Sequence, residues 1–267
     1  MIIDFHTHAF PDELAQKAIP VLSEKGGITP YSDGTVDGIV SSMNRDGVDV
    51  SVVLSIATKA KQETNVNNFA ISLIDNKRIV PFGSVFPGSD NALPEIERLH
   101  CAGIKGIKLH PEYQQFFIDD EAAHPIYKKC GELGMIVLLH CGEDVGYPPP
   151  VHATPDRIEK TVSMFPETTF VTAHMGGYNL WEEFSQKVKA HDNLYIDTSM
   201  TNTVAHLDIE VGKRIFEIHG HDKFLFGSDS PWERPCKSME KVYSYGFCDE
   251  VNKMILGNNA KRLLNIK

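Results

Sequence analysis

At 267 residues the chain is too long for a small disulfide-stapled domain and suits one α/β barrel, which typically takes about 250 residues. Its 42% hydrophobic share is ordinary for a globular core, and a formal charge of −10 with no dense Lys/Arg block argues against a nucleic-acid binder. Five cysteines without C-x-x-C spacing, no basic leader and no apolar run of about 18 residues predict a reduced, cytoplasmic protein with no membrane partner.

The chain begins MIIDFHTH. Strand alternation over Ile2 to His8 predicts that Asp4, His6 and His8 share one face, where two imidazoles can reach a common metal ion. Helix is predicted from Asp12 to Lys25 and from Thr35 to Asp46, then a β-branched strand from Val50 to Ile56. The alternation continues with a helix over 64–76, a strand over 79–86, a helix over 91–102 and a strand over 104–110. A helix over 119–133 and a strand over 135–140 follow. Thr154 and Pro155 read as an N-cap hydroxyl and a first-turn proline, opening a helix to about Phe165. Strand over 169–174, helix over 179–190, strand over 193–198, helix over 209–219 and strand over 223–228 complete eight strand–helix units.

Each return to a parallel sheet needs a crossover, so this alternation predicts an α/β fold, a single (β/α)8 TIM barrel over 1–267. An open doubly wound sheet is the competitor, but H-T-H-A-F-P stands where its glycine fingerprint belongs. Barrel sites form at the carboxyl ends of strands. Those ends carry His6 and His8, then Lys108 and His110, His140, His174 and Asp229.

H-T-H, V-L-L-H-C at His140, T-A-H-M-G-G at His174 and F-G-S-D-S-P at Asp229 resemble the amidohydrolase superfamily. The opening strand, G-I-K-L-H-P (Gly106 to Pro111) and the closing N-A-x-R-L-L (Asn259 to Leu264) are most similar to its amidohydrolase-related branch. The resemblance implies that His6, His8, His140 and Asp229 ligate a divalent metal. Zinc is the first expectation, with manganese or iron as alternatives. His174 either completes a second site or acts beside the metal as acid or electrophile. It further implies hydrolysis of a small, anionic amide, lactone or ester-like substrate by metal-bound hydroxide, with Asp229 taking the water's proton. A non-oxidative decarboxylase of an aromatic or unsaturated acid is the alternative. A non-catalytic metal-binding barrel is a third reading, disfavoured by the complete ligand set.

Lys108 is either a carbamylated bridge between two ions or an ammonium that binds a substrate carboxylate; the second is preferred. His110, on the same face, is expected to support a ligand or touch substrate. Asp4 is expected to orient an imidazole. Asp229 has a plainer explanation, in which Ser230 and Pro231 start the next helix. Cys141 should be a buried hydrophobe, Tyr178 and Trp232 are candidates for the pocket wall, and the proline-rich loop Gly142 to Ala153 is a candidate roof. His100, His124, His191, His219 and His221 are expected to meet solvent, and His152 and His206 lie in loops within reach of substrate. The expected partner is a small molecule, and association into a homo-oligomer is left open.

Overall fold

The structure, a computed structural model, describes residues 1–266. Eight parallel strands form a (β/α)8 barrel: β1 (Ile3–Thr7), β2 (Val50–Leu54), β3 (Ile79–Phe82), β4 (Gly106–Leu109), β5 (Ile136–Leu139), β6 (Phe170–Thr172), β7 (Leu194–Asp197) and β8 (Phe224–Leu225). β1 to β3 and β4 to β8 pair in sequence order. The two arcs join where Gly83 bridges Ile107 and where Thr7 bridges Ser230. Phe5 N donates to Phe226 O at 2.7 Å and Asp229 N to His6 O at 2.8 Å, so the first and last strands are stitched beside the expected ligands.

The barrel is filled by Phe5, Val52, Leu54, Phe82, Leu138 and Val171 among others, with Phe5 and Phe82 edge to face at 5.9 Å. Gly106 leaves room for this packing: a Cβ there would sit 2.4 Å from the Phe82 ring and 2.6 Å from Ile136 O. Ala260 and Leu264 of the terminal helix α12 (Asn259–Leu264) join the same cluster.

The helices between are α1 (Asp12–Gly26), α2 (Val36–Asp46), α3 (Glu63–Ser72), α4 (Ala92–Cys101), the short α5 (Pro111–Gln114), α6 (His124–Leu133), α7 (Pro155–Met164), α8 (Trp181–Lys187) and α9 (Ile209–His219). α10 (Pro235–Ser244) and α11 (Asp249–Lys253) precede α12. Capping follows side-chain chemistry: Thr35 Oγ1 accepts from Gly38 N, and Asp208 accepts from Glu210 N and Val211 N. None of the described helices is long and apolar enough to cross a membrane.

Several expected bounds move for identifiable reasons. The helix expected from Asp119 begins only at His124, because Pro125 has no N–H and is tolerated only in a first turn. The helix expected from Asn179 begins at Trp181, since Asn179 takes a left-handed φ of 60°. Thr154 does precede Pro155 at the start of α7, yet its hydroxyl makes no capping bond. The last strand shortens to Phe224–Leu225.

Strict alternation also fails in β1. Its register against β2 shifts between Asp4 and Thr7, and Phe5 belongs to the interior cluster.

Candidate active site

The first donor set stands at the seam between β1 and the segment after β8. His6 Nε2 and His8 Nε2 are 3.2 Å apart, and Asp229 Oδ1 lies 3.3 and 3.0 Å from them. Both tautomers follow from acceptors behind the rings: His6 Nδ1 donates to Asp197 Oδ2 at 2.8 Å, and His8 Nδ1 donates to Leu54 O at 3.0 Å. Two Nε2 lone pairs and a carboxylate oxygen therefore converge with no proton of their own between them. Ligands about 2.0–2.2 Å from a shared ion stand about 3.0–3.6 Å apart, so the residues present fit a divalent metal. Asp229 sits here at φ 65°, while the helix that follows starts at Pro235 and Ser230 Oγ instead accepts from Tyr31 OH. The helix-start explanation of Asp229 therefore does not hold.

Asp197, at the end of β7, is a site residue that the strand-end pattern does not single out. Its Oδ1 accepts from His174 N, Ser199 N and Ser199 Oγ, and its Oδ2 from His6 Nδ1. Burial opposes its ionisation, but His6 and Ser199 outweigh that and hold the carboxyl well below the usual range. The role expected of Asp4 thus belongs to Asp197. Asp4 instead binds the backbone N and hydroxyl of Ser228 and the backbone N of His6, and burial pushes its carboxyl up to about 7. A carboxylate ending a strand is a readable signal, but only closure of the barrel brings the end of β7, across β8, within reach of the His6 ring.

His174 and His140 form a second layer, apart from the three converging donors. His174 Nε2 and His140 Nδ1 are 3.0 Å apart, His174 Nδ1 meets Ser199 Oγ at 2.9 Å, and His140 Nε2 lies 3.2 Å from Glu143 O. A donor atom of His174 groups with His6 and Asp197 and one of His140 with His110 and Asp144, beside the group of His6, His8 and Asp229. Burial holds the His174 ring neutral, its pKa lowered to about 3, and also lowers that of His140 well below the usual imidazole range.

Beside them His110 stacks on His140 at 4.1 Å and on Tyr113 at 3.7 Å. Asp144 and Glu112, both unforeseen, face these rings. Burial pushes the Asp144 carboxyl up to about 6 and that of Glu112 to about 7. Lys108 is 0% exposed and its Nζ has no hydrogen-bond partner. Burial pushes its ammonium down to about 8, against the pull of Asp197 and Asp229.

All seven expected site residues line one cavity of about 370 Å³. Its wall includes Phe10, Ile28, Ile56, Tyr113, Met200 and Trp232, and Tyr178 also contributes. The loop after β5 adds Val145, Gly146 and Tyr147, whereas Pro148 to Pro150 line a smaller neighbouring pocket. Cys141 is fully buried, as expected. His219 is buried too, beside Phe184, and does not meet solvent. His152 packs on Phe117, and His206 pairs with Asn202.

The sequence model of a family described as Amidohydrolase matches residues 3–266. No curated protein matches the sequence. Among solved structures, 5-carboxyvanillate decarboxylase from Sphingomonas paucimobilis is similar, with a TM-score of 0.72 and 16% identity over 100% of this chain and 99% of that one. An uncharacterized TIM-barrel protein from Bordetella bronchiseptica has a TM-score of 0.76 and 20% identity, covering 99% of this chain and 98% of that one. A dihydroxybenzoic acid decarboxylase from Polaromonas sp. JS666, with bound manganese and the inhibitor 2-nitroresorcinol, has a TM-score of 0.73 and 16% identity over 99% and 97% of the two chains. At such identities the likeness establishes a common fold.

Proposed function

The match over residues 3–266 places the chain in the amidohydrolase family, and from that membership we propose that it is a metal-dependent lyase releasing carbon dioxide from a small aromatic or unsaturated acid. This reverses the order expected from sequence, where hydrolysis stood first. Support comes chiefly from one observation: a buried, unpartnered Lys108 ammonium shares a largely apolar cavity with the His6, His8 and Asp229 donors. Decarboxylases among the similar structures point the same way.

His6, His8 and Asp229 would hold the ion, whose nitrogen and carboxylate donors suit zinc, manganese or iron. When bound, it supplies Lewis-acid polarisation of a substrate oxygen. Lys108 pairs with an anionic oxygen of the substrate, a charge-assisted contact strengthened by burial. The apolar wall around Ile56, Tyr113 and Trp232 takes the carbon skeleton and displaces water. Loss of carbon dioxide leaves an electron pair on carbon, and the substrate carbon must gain one proton. Both nitrogens of His174 are engaged, which leaves Asp229, a carboxylate at rest, to relay that proton, taking it from solvent and passing it to the carbon.

Hydrolysis of a small lactone or amide is the second reading. Asp229, ionised beside the donor set, fits removal of a proton from water.

Metal-loaded protein incubated separately with hydroxybenzoates, unsaturated acids, lactones and anilides in ¹⁸O-labelled water tests the choice by mass spectrometry. The expected result is one carbon dioxide released per acid consumed, with no solvent oxygen in the remaining product. New ¹⁸O-carrying carboxylates from lactones or anilides, with no acid decarboxylated, would overturn the lyase assignment in favour of hydrolysis.

A further inference from the structure

The loop after β5 is bonded to the barrel at both ends and free between them. At its start Gly142 N donates to Ala153 O at 3.0 Å and Glu143 N to Tyr178 O at 2.9 Å. At its end His152 N donates to Glu112 Oε1 at 3.0 Å, and His152 O accepts from Ile118 N at 3.2 Å. Residues 145–151 form a strap between these anchors. Among the described residues its only hydrogen bonds run to Asp144, from Gly146 N to Oδ1 and from Tyr147 N to the carbonyl. The strap borders two open spaces, the cavity at Val145 to Tyr147 and a pocket of about 130 Å³ at Tyr147 to Val151. Three consecutive prolines fix φ along its second half and stiffen it.

Side-chain contacts with the end of α1 hold the strap down. The Lys25 ammonium lies 3.3 Å from the centre of the Tyr147 ring and makes no ion pair among the described residues. Two glycines permit this approach: a Cβ on Gly146 would stand 3.3 Å from Lys25 Cγ, and one on Gly26 would stand 3.1 Å from Val145 Cγ2. Tyr147 packs on Tyr113 at 5.1 Å, Tyr113 stacks on His110 at 3.7 Å, and His110 stacks on His140 at 4.1 Å. The exposed Lys25 therefore caps a column of rings that runs inward to the strand-end histidines.

We propose that residues 145–151 gate the cavity and that Lys25 on Tyr147 is the latch. A cation–π contact at an exposed site shifts the ratio of shut to open by about two- to fivefold. That is enough to favour the shut form and too little to prevent opening at each ligand exchange. Opening lifts Tyr147 off the column and uncovers Tyr113, while the anchors at Gly142 and His152 keep their bonds. The gate serves whatever ligand the cavity takes, so it stands independently of the reaction assigned above.

Thiol trapping in the metal-loaded full-length protein tests the latch. Gly26→Cys/Val145→Cys is made with the exposed Cys101 and Cys248 replaced by Ser, and disulfide formation in glutathione buffers gives the effective concentration of the two thiols. Lys25→Met should lower that concentration about two- to fivefold, Tyr147→Leu should do the same, and the two together no more than either alone. A concentration unmoved by these changes, or no disulfide at all, would overturn the latch. Acrylamide quenching of tryptophan then reads access to the cavity, because Trp232 lines it and Trp181 is only 7% exposed. The oxidised protein should be quenched less than the same sample after reduction. Equal quenching would show that the strap does not gate the cavity. Each sample is its own reference before and after reduction, so the comparison is decisive even where the substitutions cost stability.

Discussion

Asp197 shows how one buried carboxylate organises a site without entering it. It receives the proton of His6 Nδ1, so Nε2 faces the neighbouring donors with its lone pair, and through Ser199 it sets the tautomer of His174. Replacing Asp197 by Asn leaves one acceptor oxygen for four donors. Such second-layer partners are worth about 10- to 100-fold in metal affinity. Asp197→Asn is therefore expected to weaken Zn²⁺ or Mn²⁺ binding by that factor while the fold remains, measured by competition with a chromophoric chelator. An unchanged affinity would remove Asp197 from the site.

Elements are held in place by links that the hydrophobic pattern does not reveal. The end of α2 is tied to the start of α10 by Asp46, which accepts from Arg234 at 2.7 Å and from Arg45 at 3.3 Å. Burial opposes ionisation of Asp46, but the two guanidinium groups outweigh it and lower the carboxyl below its ordinary value. A depressed folded-state pKa means stability that is present above the unfolded value of about 3.9 and lost as pH falls through the folded value. Because both arginines are substantially exposed, the link is worth about 1 kcal/mol. Asp46→Asn should cost about that much at pH 7, and urea unfolding across pH should show the gap to wild type closing below about pH 4. A gap independent of pH would mean that the loss is one of packing, not of charge.

At the scale of the whole barrel, the site and the closure coincide. His6 and His8 extend from β1, Asp229 from the turn after β8, and the backbone bonds between these segments complete the ring. An ion held across that seam binds the folded chain and not the unfolded one. At a hundredfold excess over its dissociation constant it adds about 2.7 kcal/mol, worth roughly 5–10 °C in Tm for a chain of this size. Scanning calorimetry with and without chelator should show a drop of that order, reversed by adding metal. An unchanged Tm would show that no ion bridges the seam.

Taken by itself, the sequence determined the number and order of strands, the closed parallel barrel and the presence of His6, His8, Lys108, His110, His140, His174 and Asp229 around one mouth. These are readable because strand and helix periodicities are local and because parallel strands all deliver their carboxyl ends to the same rim. Local context also misled: alternation placed Asp4 with the two histidines, but its carboxyl is taken up by Ser228 and the His6 backbone. Only the tertiary structure gathered the rim into groups: His6, His8 and Asp229, then His6, His174 and Asp197, and His110, His140 and Asp144. It alone assigned Asp197 and Ser199 to the histidines they orient. The physical reason is that a lone pair's direction and a carboxylate's partners depend on rotamers and hydrogen bonds between strands that are adjacent only after the barrel closes, and no spacing along the chain encodes them.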